Sequence, residues 1–218
     1  MSVTDAKGSV KRRTYDARGR QAAAAQLQST VLDAAWQLFS ADGYAATTID
    51  AIAQHAAVST ATIYKGFGGK PGLVRALVTR ALRGDPMAAR AAEARSDVAR
   101  DEAPDGPTLV RTWGALVAEV SPRVSPILLL LRDVAGQDSG AADLFDELER
   151  DRRTRMAGNA RALERTGALR PGTTRAEARD VLWFYSAPDL FDVLVQRGGW
   201  SIRRYAHFVT DAMIAALL

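Results

Sequence analysis

Hydroxyl and ammonium side chains gather in residues 47–70 of this 218-residue chain: Thr48, Ser59, Thr60, Thr62 and Tyr64, then Lys65 and Lys70, with Ala61 among them. Threonine hydroxyls can bond base edges or phosphates, and the methyl of Thr or Ala can touch a thymine methyl. Tyr64, Lys65 and Lys70 are suited to phosphates, which fix register without reading sequence, and Thr48 at a helix N-terminus adds a phosphate contact. Covalent chemistry finds less support. His55 and His207 are far apart in sequence and neither has a neighbouring ligand at metal spacing. Gly66, Gly68, Gly69 and Lys70 suggest a phosphate loop, but Tyr64 stands where its first Gly must be and Pro71 replaces its Ser or Thr. Zero Cys excludes disulfides and thiolate sites. We expect no enzyme, no metal and no cofactor.

The elements that position these groups are two short helices. Ile49, Ile52, Ala53 and Ala56 recur at helical spacing, with Thr47 or Thr48 as the cap. Ser59 is expected to cap a second helix whose inward residue is Ile63, leaving Thr60, Ala61, Thr62 and Tyr64 on its outward edge. Ala57 falls at the turn between them, a left-handed position that Gly normally fills and that costs Ala about 1–2 kcal/mol. This is the layout of a helix-turn-helix, whose second helix enters the DNA major groove; an ordinary helical hairpin is the alternative.

Beyond Ile63, the residues Tyr64, Phe67, Lys70 and Leu73 resemble the T-x-Y-x-x-F-x-x-K-x-x-L signature of the tetracycline-repressor (TetR) family of bacterial regulators. Residues 27–44, closing on Asp42-Gly43-Tyr44, resemble that family's first helix. Lys65-Gly66 and Pro71-Gly72 depart from its usual residues. The resemblance implies an all-α protein: an N-terminal three-helix helix-turn-helix DNA-binding domain and a C-terminal helical bundle for ligand binding and dimerisation. We place a flexible basic arm at residues 1–22, the DNA-binding domain at 23–72, and the effector-binding and dimerisation domain at 73–218.

Charge follows the same division. Residues 1–83 carry 11 Lys and Arg against 5 Asp and Glu, a net +6, whereas 84–218 carry 18 against 20. A basic head attracts phosphate and releases its counterions. Lys7, Lys11, Arg12, Arg13, Arg18 and Arg20 show no apolar periodicity, hence the expectation of a mobile arm that is either idle or a DNA contact. The remaining apolar stripes predict helices over 73–82, 109–120, 126–134, 141–165, 175–196 and 201–218, with 87–107 as a weakly structured connection. The longest apolar run, 127–131, is far short of a membrane span, and no apolar signal-peptide core opens the chain, so a cytoplasmic protein is expected.

The last two helices also resemble those the family pairs across a two-fold axis. Leu182, Phe191, Leu194, Val195, Tyr205, Phe208, Val209 and Met213 are the expected homodimer contacts, with the monomer's own core as the alternative. The partner would be a double-stranded operator of two-fold symmetry. The family further implies an unknown small-molecule effector held within the bundle. Trp113, Leu116, Val117, Val120, Leu128, Leu131, Leu144, Trp183 and Phe184 could line its site or be plain core. A helical adaptor that binds protein and not DNA is the competing function; it leaves the basic head unexplained.

Overall fold

The computed structural model describes residues 7–83 and 92–218. They form helices, with no strand among the described residues. The chain divides into two compact units between Leu73 and Val74.

The first unit contains α1 (Lys7–Asp42), α2 (Ile49–His55), α3 (Thr60–Phe67) and the start of α4 (Lys70–Arg83). Its core is the apolar stripe of α1, with Val31, Ala34, Ala35 and Phe39, closed by Tyr44, Ile52, Ala53, Ile63 and Leu73. Gly43, at φ 84°, lets the chain leave α1 in a conformation that side chains resist. Phe39 and Tyr44 then pack with ring centroids 5.4 Å apart. α1 begins well before the stripe, so most of the segment expected as a flexible arm is helical from Lys7; residues 1–6 lie outside the described residues. Residues 19–28 of this helix are exposed. Its packed C-terminal half supplies the nucleus, and Ala, Gln and Arg extend it at little cost because propagation is far easier than nucleation.

The second unit runs from the remainder of α4 through α5 (Ala92–Glu102), α6 (Gly106–Val134), α7 (Ser139–Arg165), α8 (Arg175–Tyr185), α9 (Pro188–Phe191), a π-helical turn (Asp192–Arg197) and α10 (Ile202–Leu217). Asp105, Asp138, Thr174 and Ser201 cap their helices by accepting a backbone N–H. Thr174 and Glu177 form a reciprocal capping box, and the Thr174 N–H and hydroxyl hold the Glu177 carboxyl below its ordinary range. α6 is the central element. Leu109, Val110, Trp113 and Ala118 join Leu163 of α7, Leu182 of α8, Phe191 of α9 and Tyr205, Val209 and Met213 of α10 in one core.

Four expectations change here. The stretch 175–196 is not one helix: α8 stops at Tyr185, and Pro188, which lacks an N–H, opens α9 ahead of the π-helical turn. The stretches 109–120 and 126–134 are one helix, with Pro122 and Pro126 inside it. Each proline removes one ladder hydrogen bond, and burial of Ser121, Val124, Ser125, Ile127 and Leu128 keeps the helix continuous. Part of the connection expected over 87–107 is the helix α5. Although no long uninterrupted apolar run exists in the sequence, α6 has the length and composition of a membrane span; its buried face belongs to the unit's core.

Candidate nucleic-acid interface and ligand cavity

α2 ends in a Schellman motif. The Ala57 N–H donates to the Gln54 carbonyl (3.2 Å) and the Val58 N–H to that of Ala53 (2.9 Å). This requires a left-handed residue, and Ala57 sits at φ 53°, the one described non-glycine residue with positive φ. We predict that Ala57→Gly relieves this strain and stabilises the first unit by about 1 kcal/mol, after allowing for glycine's greater unfolded-state entropy. A thermal melt checks it; a lower midpoint contradicts it.

The turn delivers the chain to Ser59, whose Oγ accepts the Thr62 N–H at 3.1 Å and lies 2.8 Å from the Thr62 hydroxyl. Thr48, not Thr47, caps α2 by accepting the Ala51 N–H. Ile63 is fully buried, which turns the opposite edge of α3 outward. Ala61 and Lys65 are exposed, Tyr64 is 58% exposed, and Thr60 and Thr62 are half-buried. α3 therefore presents a mixed hydroxyl, methyl and ammonium surface. The Thr62 hydroxyl is already engaged with Ser59, the residue that caps α3.

Lys70 is engaged within the first unit. Its ammonium donates to the carbonyls of Tyr44 (3.0 Å) and Ala45 (3.4 Å) and lies 4.5 Å from the Tyr44 ring centre. Those carbonyls lie just past the C-terminal end of α1, so Lys70 ties the start of α4 to the α1–α2 turn. We predict that Lys70→Ala lowers stability by about 1–2 kcal/mol. The salt slope of DNA binding stays unchanged; a lost phosphate contact would reduce it by about one.

The second unit holds a partly open cavity of about 570 Å³. Of the residues expected there, Trp113, Leu116, Val117, Val120 and Leu128 line it. Leu131 and Leu144 do not; both are buried. Trp183 is half-buried beside the Arg152 and Arg153 guanidinium groups, and Phe184 is 59% exposed. The periodicity could not distinguish these positions because core and cavity wall are equally apolar.

Sequence reasoning missed the polar lining, including Ser121, Ser125, Arg152 and Asn159. The available signal was polar residues interrupting the inward stripe of α7. Arg152 is held by Glu149 (2.6 and 3.0 Å), the Trp183 carbonyl and Ser186. α4 contributes Arg75, Val78, Thr79 and Leu82 to the wall. Arg75 pairs with Glu147 at 2.6 and 2.9 Å, and Arg123 donates to the Ala81 carbonyl at 2.9 Å. The Arg75 guanidinium keeps the Glu147 carboxyl below its usual range, and Arg95 does the same to Glu119.

The expected dimer contacts divide sharply. Leu182, Phe191, Tyr205, Val209 and Met213 are buried in the unit's own core, and Leu194 and Val195 pack partly against it. Burial also raises the Tyr205 phenol pKa. Of the eight, Phe208 stands exposed. The outward apolar residues of these helices are Phe184, Val193, Ile202 and Phe208, with Trp200 packed edge-on against Phe208 at 5.5 Å. Both faces of α10 carry apolar residues, and only tertiary packing decides which face the protomer uses for itself.

Residues 31–77 match the family of bacterial regulatory proteins called the tetR family. Over 50 residues the chain is 52% identical to YvkB of Bacillus subtilis (strain 168), described as an uncharacterized HTH-type transcriptional regulator. That match spans 23% of this chain and about a quarter (26%) of the relative's length. Two solved structures share the fold over most of both chains. The SmeT–triclosan complex is 20% identical with a TM-score of 0.69, covering 88% of this chain and 92% of that one. NalD, the secondary repressor of the MexAB-OprM multidrug efflux pump in Pseudomonas aeruginosa, is 18% identical with a TM-score of 0.66, covering 89% and 98%.

Proposed function

This chain belongs to the TetR family of bacterial regulatory proteins, and on that footing we propose that it is a cytosolic, sequence-specific DNA-binding repressor whose operator affinity falls when a small molecule occupies the second unit. The observation that carries this is the α2–α3 pair: a left-handed turn at Ala57, a Ser59 cap, and an outward surface of Thr60, Ala61, Tyr64 and Lys65 on the helix that Ile63 anchors. That helix fits a major groove, with Thr60 and Ala61 against base edges and Tyr64 and Lys65 against phosphates. Thr48 and Ser59, at helix N-termini, add phosphate contacts. The protein-binding adaptor is not favoured, because the family match falls on this head.

Two copies joined through Phe184, Val193, Ile202 and Phe208 would read two half-sites of a two-fold symmetric operator. The cavity supports effector control, as does the triclosan bound by the structural relative SmeT. α4 offers the connection. It starts at Lys70 in the first unit and lines the cavity of the second with Arg75, Val78, Thr79 and Leu82. A molecule that favours a displaced α4 weakens DNA binding by its differential affinity for the two states.

Selection of random duplex DNA by the purified protein at near-physiological salt tests the proposal. A two-fold symmetric motif is expected, together with a loss of about tenfold or more in Tyr64→Ala. Binding that is salt-sensitive but blind to sequence rejects it.

A further inference from the structure

We infer that the cavity takes an uncharged, mainly apolar molecule bearing a hydrogen-bond acceptor, which the Asn159 amide receives; this rests on the effector-controlled reading above.

The charges around the cavity are balanced. Arg75 is paired with Glu147, Arg100 with Asp97, and Arg152 with Glu149. Asp151 and Arg155 add one charge of each sign to the lining. A charged ligand would surrender its hydration and meet no surplus of opposite charge. Between these groups the wall is aliphatic, with Leu116, Val120, Val124 and Leu128 along α6, so a neutral apolar body is favoured.

Asn159 supplies the directional element. It lines the cavity and is 4% exposed. Its side-chain oxygen accepts from the Arg100 guanidinium at 2.9 Å and from the Ser96 hydroxyl at 3.4 Å. A guanidinium has donors and no acceptor, so the amide oxygen must face Arg100 and the NH2 must turn away. The NH2 finds the Met156 sulfur at 4.0 Å, a weak acceptor that also lines the cavity. A buried donor left this poorly paired is a standing cost that an incoming acceptor removes. A second donor without a partner, Trp113 Nε1, is buried in a side chain of the same lining. Both point to a ligand that contributes a lone pair, such as a ketone, ether or ester oxygen.

Titration calorimetry on the full chain at neutral pH tests this with three probes that share a ten-carbon scale of tail: 2-decanone, decanoate and decyltrimethylammonium. 2-Decanone is expected to bind at least about tenfold more tightly than either ion. Asn159→Asp keeps an oxygen toward Arg100 and replaces the NH2 by a second oxygen. It is expected to weaken 2-decanone by about tenfold or more while the fold, followed by circular dichroism, is retained. Should that variant not fold, the ranking of the three probes on the unaltered protein decides alone. Tighter binding of either ion, or undiminished ketone affinity in folded Asn159→Asp, overturns the inference and leaves effector control standing. Binding of 2-decanone without any release of the selected operator rejects effector control by this ligand and leaves the ligand class standing. Failure of all three to bind overturns the inference outright.

Discussion

A Gly72→Ala variant will lose specific operator recognition while its second unit remains folded. On propensity alone the substitution stabilises a helix by about 1 kcal/mol, so the sign of the effect is informative. A Cβ at Gly72 would overlap the carbonyl of Phe67, the last residue of α3. That carbonyl is backbone, and no rotamer change can move it aside. The joint between α3 and α4, already tightened through Gly68 and Gly69 at φ 75° and 106°, must therefore open. Overpacking of this kind costs about 3 kcal/mol. With α3 tilted, binding decays toward the non-specific level, a fall of roughly a thousandfold. The salt-dependent residue of binding survives because Lys and Arg are untouched. Mobility shifts on operator and scrambled duplexes at two salt concentrations measure both components. Wild-type discrimination in the variant would refute the argument.

Gly114→Val will act on the other unit. α6 and α10 cross closely at Gly114, where an added Cβ would overlap the Thr210 hydroxyl and lie 3.1 Å from the Thr210 Cα. Valine adds two further methyls at a point already crowded by the Thr210 hydroxyl, Cβ and Cα. Forcing the crossing apart is expected to cost about 3 kcal/mol, or a melting temperature lower by roughly 6–12 °C for a chain of this size. Because Phe208 and Ile202 are carried on α10, the dimer proposed above is expected to weaken as well. Thr210→Ala removes the hydroxyl from the crossing and is expected to restore part of the loss. A double-variant cycle reads that coupling directly; additivity of the two changes would refute the close crossing.

What could be read from the sequence was local. Ile52, Ala53 and Ile63 define their helices within a few residues, Ser59 announces its helix by its own chemistry, and the offset between Ala53 and Val58 forces a left-handed residue at Ala57. Each signal spans less than three turns, so the helices, cap and turn of the α2–α3 pair were legible almost residue by residue. Lys70 was not, because its carbonyl partners at Tyr44 and Ala45 are 26 and 25 residues away.

The second unit was harder for the same reason. Pro122 and Pro126 are strong breakers by local rules, yet tertiary burial of Ser121, Val124 and Ser125 beside them keeps α6 intact. Leu182 and Phe184 are two residues apart on one helix, and nothing in their chemistry says that one fills the core while the other faces outward. Asn159 and Arg152 drew no notice in the sequence, because their partners Arg100, Trp183 and Ser186 lie on α5 and α8, 31 to 59 residues away.

The two prolines of α6 also determine how that helix responds to force. Bending a regular helix stretches the hydrogen bonds on its convex side, and that stretching is the source of its stiffness. In α6 the carbonyls of Ala118 and Pro122 have no amide four residues on. The bonds that curvature would strain are missing there in the resting protein. α6 is thus a compliant rod with its soft segment between Ala118 and Pro126, alongside the cavity-lining residues Val120, Ser121, Val124 and Ser125. Its curvature can adjust to the shape of an occupant with little loss of main-chain bonding.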